Sequence, residues 1–146
     1  MKTLFEKMIG IKVPCDSGWD DEGIVRTGAR RDIAAYAAGD FKGKCVIFFH
    51  GNGETATTEK FLYDALNEKG ISVIAPDYRG YGLTCSEFSE RGCFDAAHAA
   101  YNWMLAEKDV SRADIIPLGY SLGSGVAVEL ATEADTNSGS FQPRSA

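Results

Sequence analysis

Three short apolar runs, the first of them continuous, constrain the fold of this chain more than any other feature. They are Cys45-Val46-Ile47-Phe48-Phe49, Ile71-Ser72-Val73-Ile74-Ala75 closed by Pro76, and Ile115-Ile116-Pro117-Leu118 within a strand from Asp114 to Gly119. None shows the strict alternation of a strand with one wet face. Such strands need cover on both sides, as in a parallel sheet packed between helices. Helical patterns follow at the right places. Thr57 to Lys69 carries Phe61, Leu62, Ala65 and Leu66 at helical spacing and stops at Gly70. A longer helix is predicted from Phe94 to Lys108, and one rich in Ala and Val from Gly123 to Glu133. Strand and helix alternating three times predicts an α/β chain with a mostly parallel, doubly wound sheet and right-handed crossovers.

The first forty residues read as short strands and turns, with a strand at Ile9 to Val13 and a turn around Asp16 to Gly23. Ile33 to Ala38 fits either a strand or a helix. From Asp135 the chain turns polar and rich in turn residues. Residues 1–134 are therefore expected to form the domain and residues 135–146 a disordered tail.

Composition narrows the function. With 146 residues there is room for one domain and too few for two. The net charge of −6 and the absence of a basic stripe argue against a nucleic-acid partner. Glu6, Lys7 and Lys12 interrupt the apolar residues of the N-terminus, so no secretory core forms there. No run of about 18 apolar residues exists to span a membrane. Cys15, Cys45, Cys85 and Cys93 show no Cys-x-x-Cys spacing, which points to reduced thiols, a cytoplasmic location and no zinc site.

The third apolar strand runs straight into Gly119-Tyr120-Ser121-Leu122-Gly123, and a helical pattern starts immediately afterwards. A Gly-x-Ser-x-Gly sequence alone is weak, but strand, sharp turn and helix are the context in which such a serine acts as a nucleophile. Ser121 on so tight a turn needs neighbours without side chains, and Gly119 and Gly123 provide the clearance. The Leu122 N–H then lies at a helix N-terminus, where an oxyanion is favoured. The competing reading is a glycine-rich turn with a capping serine.

The run from Val46 to Ala131 resembles the central part of an α/β-hydrolase domain, and is most similar to single-domain serine hydrolases related to the prolyl-oligopeptidase and depalmitoylase branches. The matching pieces are HGNGE at 50–54, PDYRGYG at 76–82, FDAAHAAYNWM at 94–104 and GYSLGSGVAVELA at 119–131. The resemblance implies an acyl-enzyme on Ser121, formed from an ester, thioester or amide, with the N–H groups of Asn52 and Leu122 as oxyanion hole. It implies no metal and no cofactor, and a small acyl substrate or acylated peptide as partner. His50 and Gly51 would be structural loop residues. Asp77 and Arg79 would pair with each other to order the following turn.

The family's acid and histidine follow the serine on later loops. Only 23 residues follow Gly123 here, and none is a histidine. His50 precedes the serine, and His98 is expected at a solvent-facing position of its helix. The chain thus reads as an α/β-hydrolase truncated after the elbow helix, inactive by itself, with an apolar edge exposed on its last strand. A truncated product, a partial gene model and half of a domain completed by another polypeptide all fit. Two rival functions remain: a non-catalytic remnant that binds partners through that edge, and a nucleotide- or flavin-binding doubly wound domain. The second lacks Gly-x-Gly-x-x-Gly after the first strand.

Overall fold

The computed structural model of the chain describes residues 22–84 and 87–134. The expected strand at Ile9 to Val13, Cys15, Cys85 and the tail from Asp135 lie outside these residues.

Five strands, β1 (Ile24–Thr27), β2 (Ile33–Ala38), β3 (Cys45–Phe49), β4 (Ser72–Pro76) and β5 (Ile115–Gly119), form one sheet in the order β1-β2-β4-β3-β5. β3 pairs in parallel with β4 and β5, while β2 is antiparallel to β1 and β4. The sheet is mixed, with a parallel half that carries the elbow. Ile33 to Ala38 is resolved as a strand.

Among the described residues three α-helices, α1 (Lys60–Glu68), α2 (Glu90–Glu107) and α3 (Leu122–Ala134), cover the sheet. β3 and β4 are buried at every position, Ser72 of β4 included. Their alternate side chains enter two cores. Val46, Phe48, Val73 and Ala75 pack with Tyr63, Leu62 and Leu66 of α1. Cys45, Ile47, Phe49 and Ile74 pack with Ala96, Ala100 and Met104 of α2 and Val126 and Leu130 of α3. Helices on both faces make the sheet doubly wound.

Helix limits follow their caps. α2 starts four residues before the expected Phe94 because Ser89 takes an extended conformation and its hydroxyl accepts from the Gly92 N–H at 2.9 Å, which caps the helix. α1 starts later than Thr57. The Thr55 N–H donates to Thr58 Oγ1 at 2.9 Å, so the threonine-rich segment closes a turn instead of a first helical turn. α3 begins at Leu122 itself.

Among the described residues β5 pairs with β3 alone, and no strand lies along its other edge. Ile116 is 45% and Leu118 40% exposed, and Val128 on α3 is 66% exposed. The apolar strand edge foreseen in the sequence is present. Cys45 and Cys93 are buried, and burial raises the Cys45 pKa.

Candidate active site

The elbow is built where β5 ends. The Tyr120 N–H donates to the Phe49 carbonyl at 3.1 Å, which carries the β3–β5 ladder one residue beyond the strand. The chain then reverses tightly, with Gly123 N–H donating to Tyr120 and Ser124 N–H to Ser121, each at 2.9 Å. Ser121 sits at φ 54, in the left-handed region that costs a side-chain-bearing residue on the order of 1–3 kcal/mol. A Cβ on Gly119 would collide with the Gly123 carbonyl, and one on Gly123 with the Phe49 carbonyl. Both glycines are required by backbone meeting backbone. Ser121 is exposed, and its hydroxyl makes no hydrogen bond among the described residues.

The loop after β3 passes close by. A Cβ on Gly51 would lie 3.4 Å from the Ser121 Cβ. The Gly51 N–H donates to Glu54 Oε1 at 2.7 Å, and Tyr81 OH donates to Asn52 Oδ1 at 2.8 Å. Neither the Asn52 nor the Leu122 N–H is taken up by a hydrogen bond among the described residues. Glu54 and Tyr81 stood in the motifs HGNGE and PDYRGYG, but nothing local showed that they hold this loop.

His50 follows directly on β3. It is fully buried, its Nδ1–H donates to the Gly51 carbonyl at 2.9 Å, and its ring lies 4.1 Å from that of Tyr78. Tyr78 OH donates to the His50 carbonyl at 2.7 Å. Burial lowers the imidazole pKa from 6.5 to about 4, against smaller opposing effects of the Gly51 carbonyl and Glu54. The ring is neutral at pH 7. Between pH 6.5 and 4 the unfolded chain holds a proton that the folded ring refuses. His50 therefore stabilises the fold fully above about pH 6.5 and progressively less as the pH falls toward 4, with about 2 kcal/mol lost by pH 5. Thermal melts between about pH 7.5 and 5 should show this decline, and His50→Gln should flatten it. An equal slope in the variant rules His50 out as its source.

Asp77 and Arg79 differ from expectation: they do not pair with each other. Asp77 Oδ1 accepts from the Ala56 N–H at 2.7 Å, Oδ2 accepts from the Leu83 N–H at 3.2 Å, and Oδ1 lies 3.7 Å from His50 Nε2. Arg79 turns instead to Asp32 at 3.0 Å and Asp95 at 3.5 Å. The reason is direction. The carboxylate points back into the gap between two loops, where N–H groups need an acceptor, and the guanidinium points outward to α2 and the β1–β2 turn.

His98 is a second correction. It is 5% exposed, and its Nε2 lies 2.7 Å from Glu133 Oε2. α3 packs along that side of α2 and converts an apparent surface position into a buried hydrogen-bond partner of Glu133. Glu133 stands 12 residues beyond Ser121, about 18 Å along the helix at 1.5 Å per residue. His98 is held far from the elbow.

The serine aminopeptidase S33 family profile matches residues 42–140. An uncharacterized protein of Mycobacterium tuberculosis is 40% identical over 91 residues, which is 62% of this chain and 32% of that protein. The lysophosphatidylserine lipase ABHD12 of Gallus gallus is 36% identical over 88 residues, 58% of this chain and 22% of that one. Among solved structures, an α/β hydrolase from Vibrio vulnificus superposes with a TM-score of 0.67 at 26% identity, covering 80% of this chain and 42% of its own. An esterase from Pyrococcus furiosus superposes at 0.61 and 20% identity, covering 82% and 49%. The chain thus spans about a third or less of these curated relatives and less than half of these solved structures. With a matching profile over most of its described residues and the same sheet, the chain belongs to the serine aminopeptidase S33 family of α/β hydrolases.

Proposed function

We propose that Ser121 is the nucleophile of a serine hydrolase that cleaves a carboxylic ester, thioester or amide through an acyl-enzyme. The observation that carries this reading is an exposed serine held at φ 54 at the head of a helix and close to Gly51, with the Asn52 and Leu122 N–H groups unengaged among the described residues. A strained, solvent-facing hydroxyl is a recurrent feature of reacting sites. Oγ adds to the carbonyl carbon, the Asn52 and Leu122 N–H groups hold the resulting oxyanion, and the leaving group departs with a proton. Water then releases the acid and restores Ser121. Each oxyanion donor of this kind contributes on the order of 10²–10³ in rate. The name of the lipase relative favours an ester among the three substrates.

The base is the missing part. His50 is buried and committed to the Gly51 carbonyl, and His98 is held by Glu133. We place the triad acid and histidine outside the described residues, on a further segment or on another polypeptide. The chain alone then reacts slowly, at the residual level left when a base is removed. Labelling with a fluorophosphonate probe tests the nucleophile. Ser121→Ala should abolish labelling while shifting stability by no more than about 0.5 kcal/mol, since the hydroxyl has no partner among the described residues. Labelling that survives in the variant would sink the assignment.

The exposed edge of β5 favours a second reading, a non-catalytic half-domain that associates through this edge. Complete inertness of Ser121 toward the probe, together with self-association that Leu118→Lys abolishes, would support it over the first.

A further inference from the structure

A groove of about 830 Å³ runs between the β1–β2 turn and α2, and Ser121 does not line it. Five arginines do: Arg26, Arg30, Arg31, Arg79 and Arg91. In a chain of net charge −6 with 15 Lys and Arg in all, a third of the cationic side chains meet in one concavity. Such an accumulation is repulsive unless an anion relieves it. Three carboxylates also line the groove, but two of them, Asp32 and Asp95, are spent on Arg79. Arg30, Arg31 and Arg91 form no ion pair among the described residues.

The scaffold holds these groups in place. Arg31 sits at φ 53, a left-handed conformation uncommon for arginine, and its N–H closes the turn on the Gly28 carbonyl at 3.0 Å. Arg79 is fixed by its two carboxylates, and Arg91 and Asp95 stand one turn apart on the first part of α2. β2 runs antiparallel to β4 with Ala35 opposite Pro76, so the β1–β2 turn lies at the carboxyl end of β4, the edge of the sheet that also carries the elbow. Farther along α2 the wall becomes apolar, with Ala99 and Trp103.

We propose that this groove binds a phosphate group borne on a small organic molecule. Guanidinium forks match phosphate oxygens in pairs, and a dianion draws on several guanidinium groups at once where a single carboxylate cannot. The acidic surface elsewhere excludes a polyanion such as nucleic acid. The inference does not rest on the chemistry of Ser121, and binding can be read without turnover.

Calorimetric titration of the whole chain with inorganic phosphate and with sn-glycerol 3-phosphate tests it, with glycerol as the uncharged control. The variant Arg30→Gln/Arg31→Gln/Arg91→Gln removes three exposed groups that hold nothing together. A charge-matched Lys42→Gln/Lys60→Gln/Lys69→Gln variant changes the same net charge elsewhere. The groove variant should bind sn-glycerol 3-phosphate at least about tenfold more weakly, and the control less than about twofold. If the triple variant fails to fold, Arg91→Gln alone should weaken binding about threefold. Sedimentation with phosphatidylcholine vesicles, with and without phosphatidic acid, separates the sources. Binding of the soluble ester assigns the phosphate to a small metabolite, and sedimentation only with the acidic vesicles assigns it to a lipid headgroup. Absence of both, or equal weakening in the two variants, overturns the proposal.

Discussion

Gly123→Ala should destabilise the chain by about 3 kcal/mol or more and leave it unfolded or marginal at room temperature. Overpacking usually costs about 1–3 kcal/mol because flexible side chains shift to make room. Here the colliding atom is the carbonyl oxygen of Phe49, at the end of a strand buried at all five positions. That carbonyl already accepts the Tyr120 N–H, so it cannot turn aside without breaking the last β3–β5 bond. The alternative is for α3 to lift off the sheet, which would expose Val126 and Leu130. Melting followed by circular dichroism checks this. For a chain of 146 residues each kcal/mol is worth roughly 3–4 °C, so a fall in Tm of at least about 9 °C is expected. Gly125→Ala is the matched control. A Cβ there meets nothing within 4 Å, and alanine is the better helix former, so that variant should melt no lower than the parent. Equal melting of the two variants would refute the backbone-contact account of the elbow.

Asp77→Ala should cost about 3–4 kcal/mol, from several buried partners lost together. The carboxylate accepts the N–H groups of Ala56 and Leu83, and removal takes this acceptor from two buried donors, at about 1–3 kcal/mol each. Gly82 at φ 51 fits against the same carboxylate, and a Cβ there would strike it. Asp77 thus ties the loop that bears Asn52 to the turn that bears Tyr81, whose hydroxyl in turn holds Asn52. The variant should lose both stability and Ser121 labelling. Asp77→Asn should retain part of each, because the amide oxygen can still accept one N–H. Urea denaturation gives the stability, and the labelling rate at a urea concentration where each variant stays folded gives the second effect. An Asp77→Ala chain as stable as the parent would show that the loops are held by other contacts.

Arg79 illustrates why part of the site escaped sequence reasoning. Two residues from Asp77, it invited a local ion pair, yet it meets Asp32 and Asp95, 47 and 16 residues away. His98 lies in a helix whose pattern of small residues gave no sign that α3 would bury it against Glu133, 35 residues on. The arginine groove is equally nonlocal, since β1, the β1–β2 turn, the segment after β4 and α2 each supply part of it. Ile33 to Ala38 had a pattern too short and too rich in alanine to separate strand from helix, and pairing with both β1 and β4 decided it.

What the amino-acid sequence determined by itself is whatever depends on residues a few positions apart. Continuous apolar runs demand two covered faces, helical spacing gives the covering elements, and Gly119 and Gly123 around Ser121 permit a turn that a side chain would block. These are short-range steric and burial constraints, and the chain carries them wherever it folds. Tertiary structure decided the strand order with β5 at the rim, the partners of Asp77, Arg79 and His98, and the meeting of five arginines beside α2. Charged and polar groups act through direction and distance, which exist only after distant segments have packed. Hydrophobic spacing is written along the chain, whereas the pairing of its charges is settled by the fold.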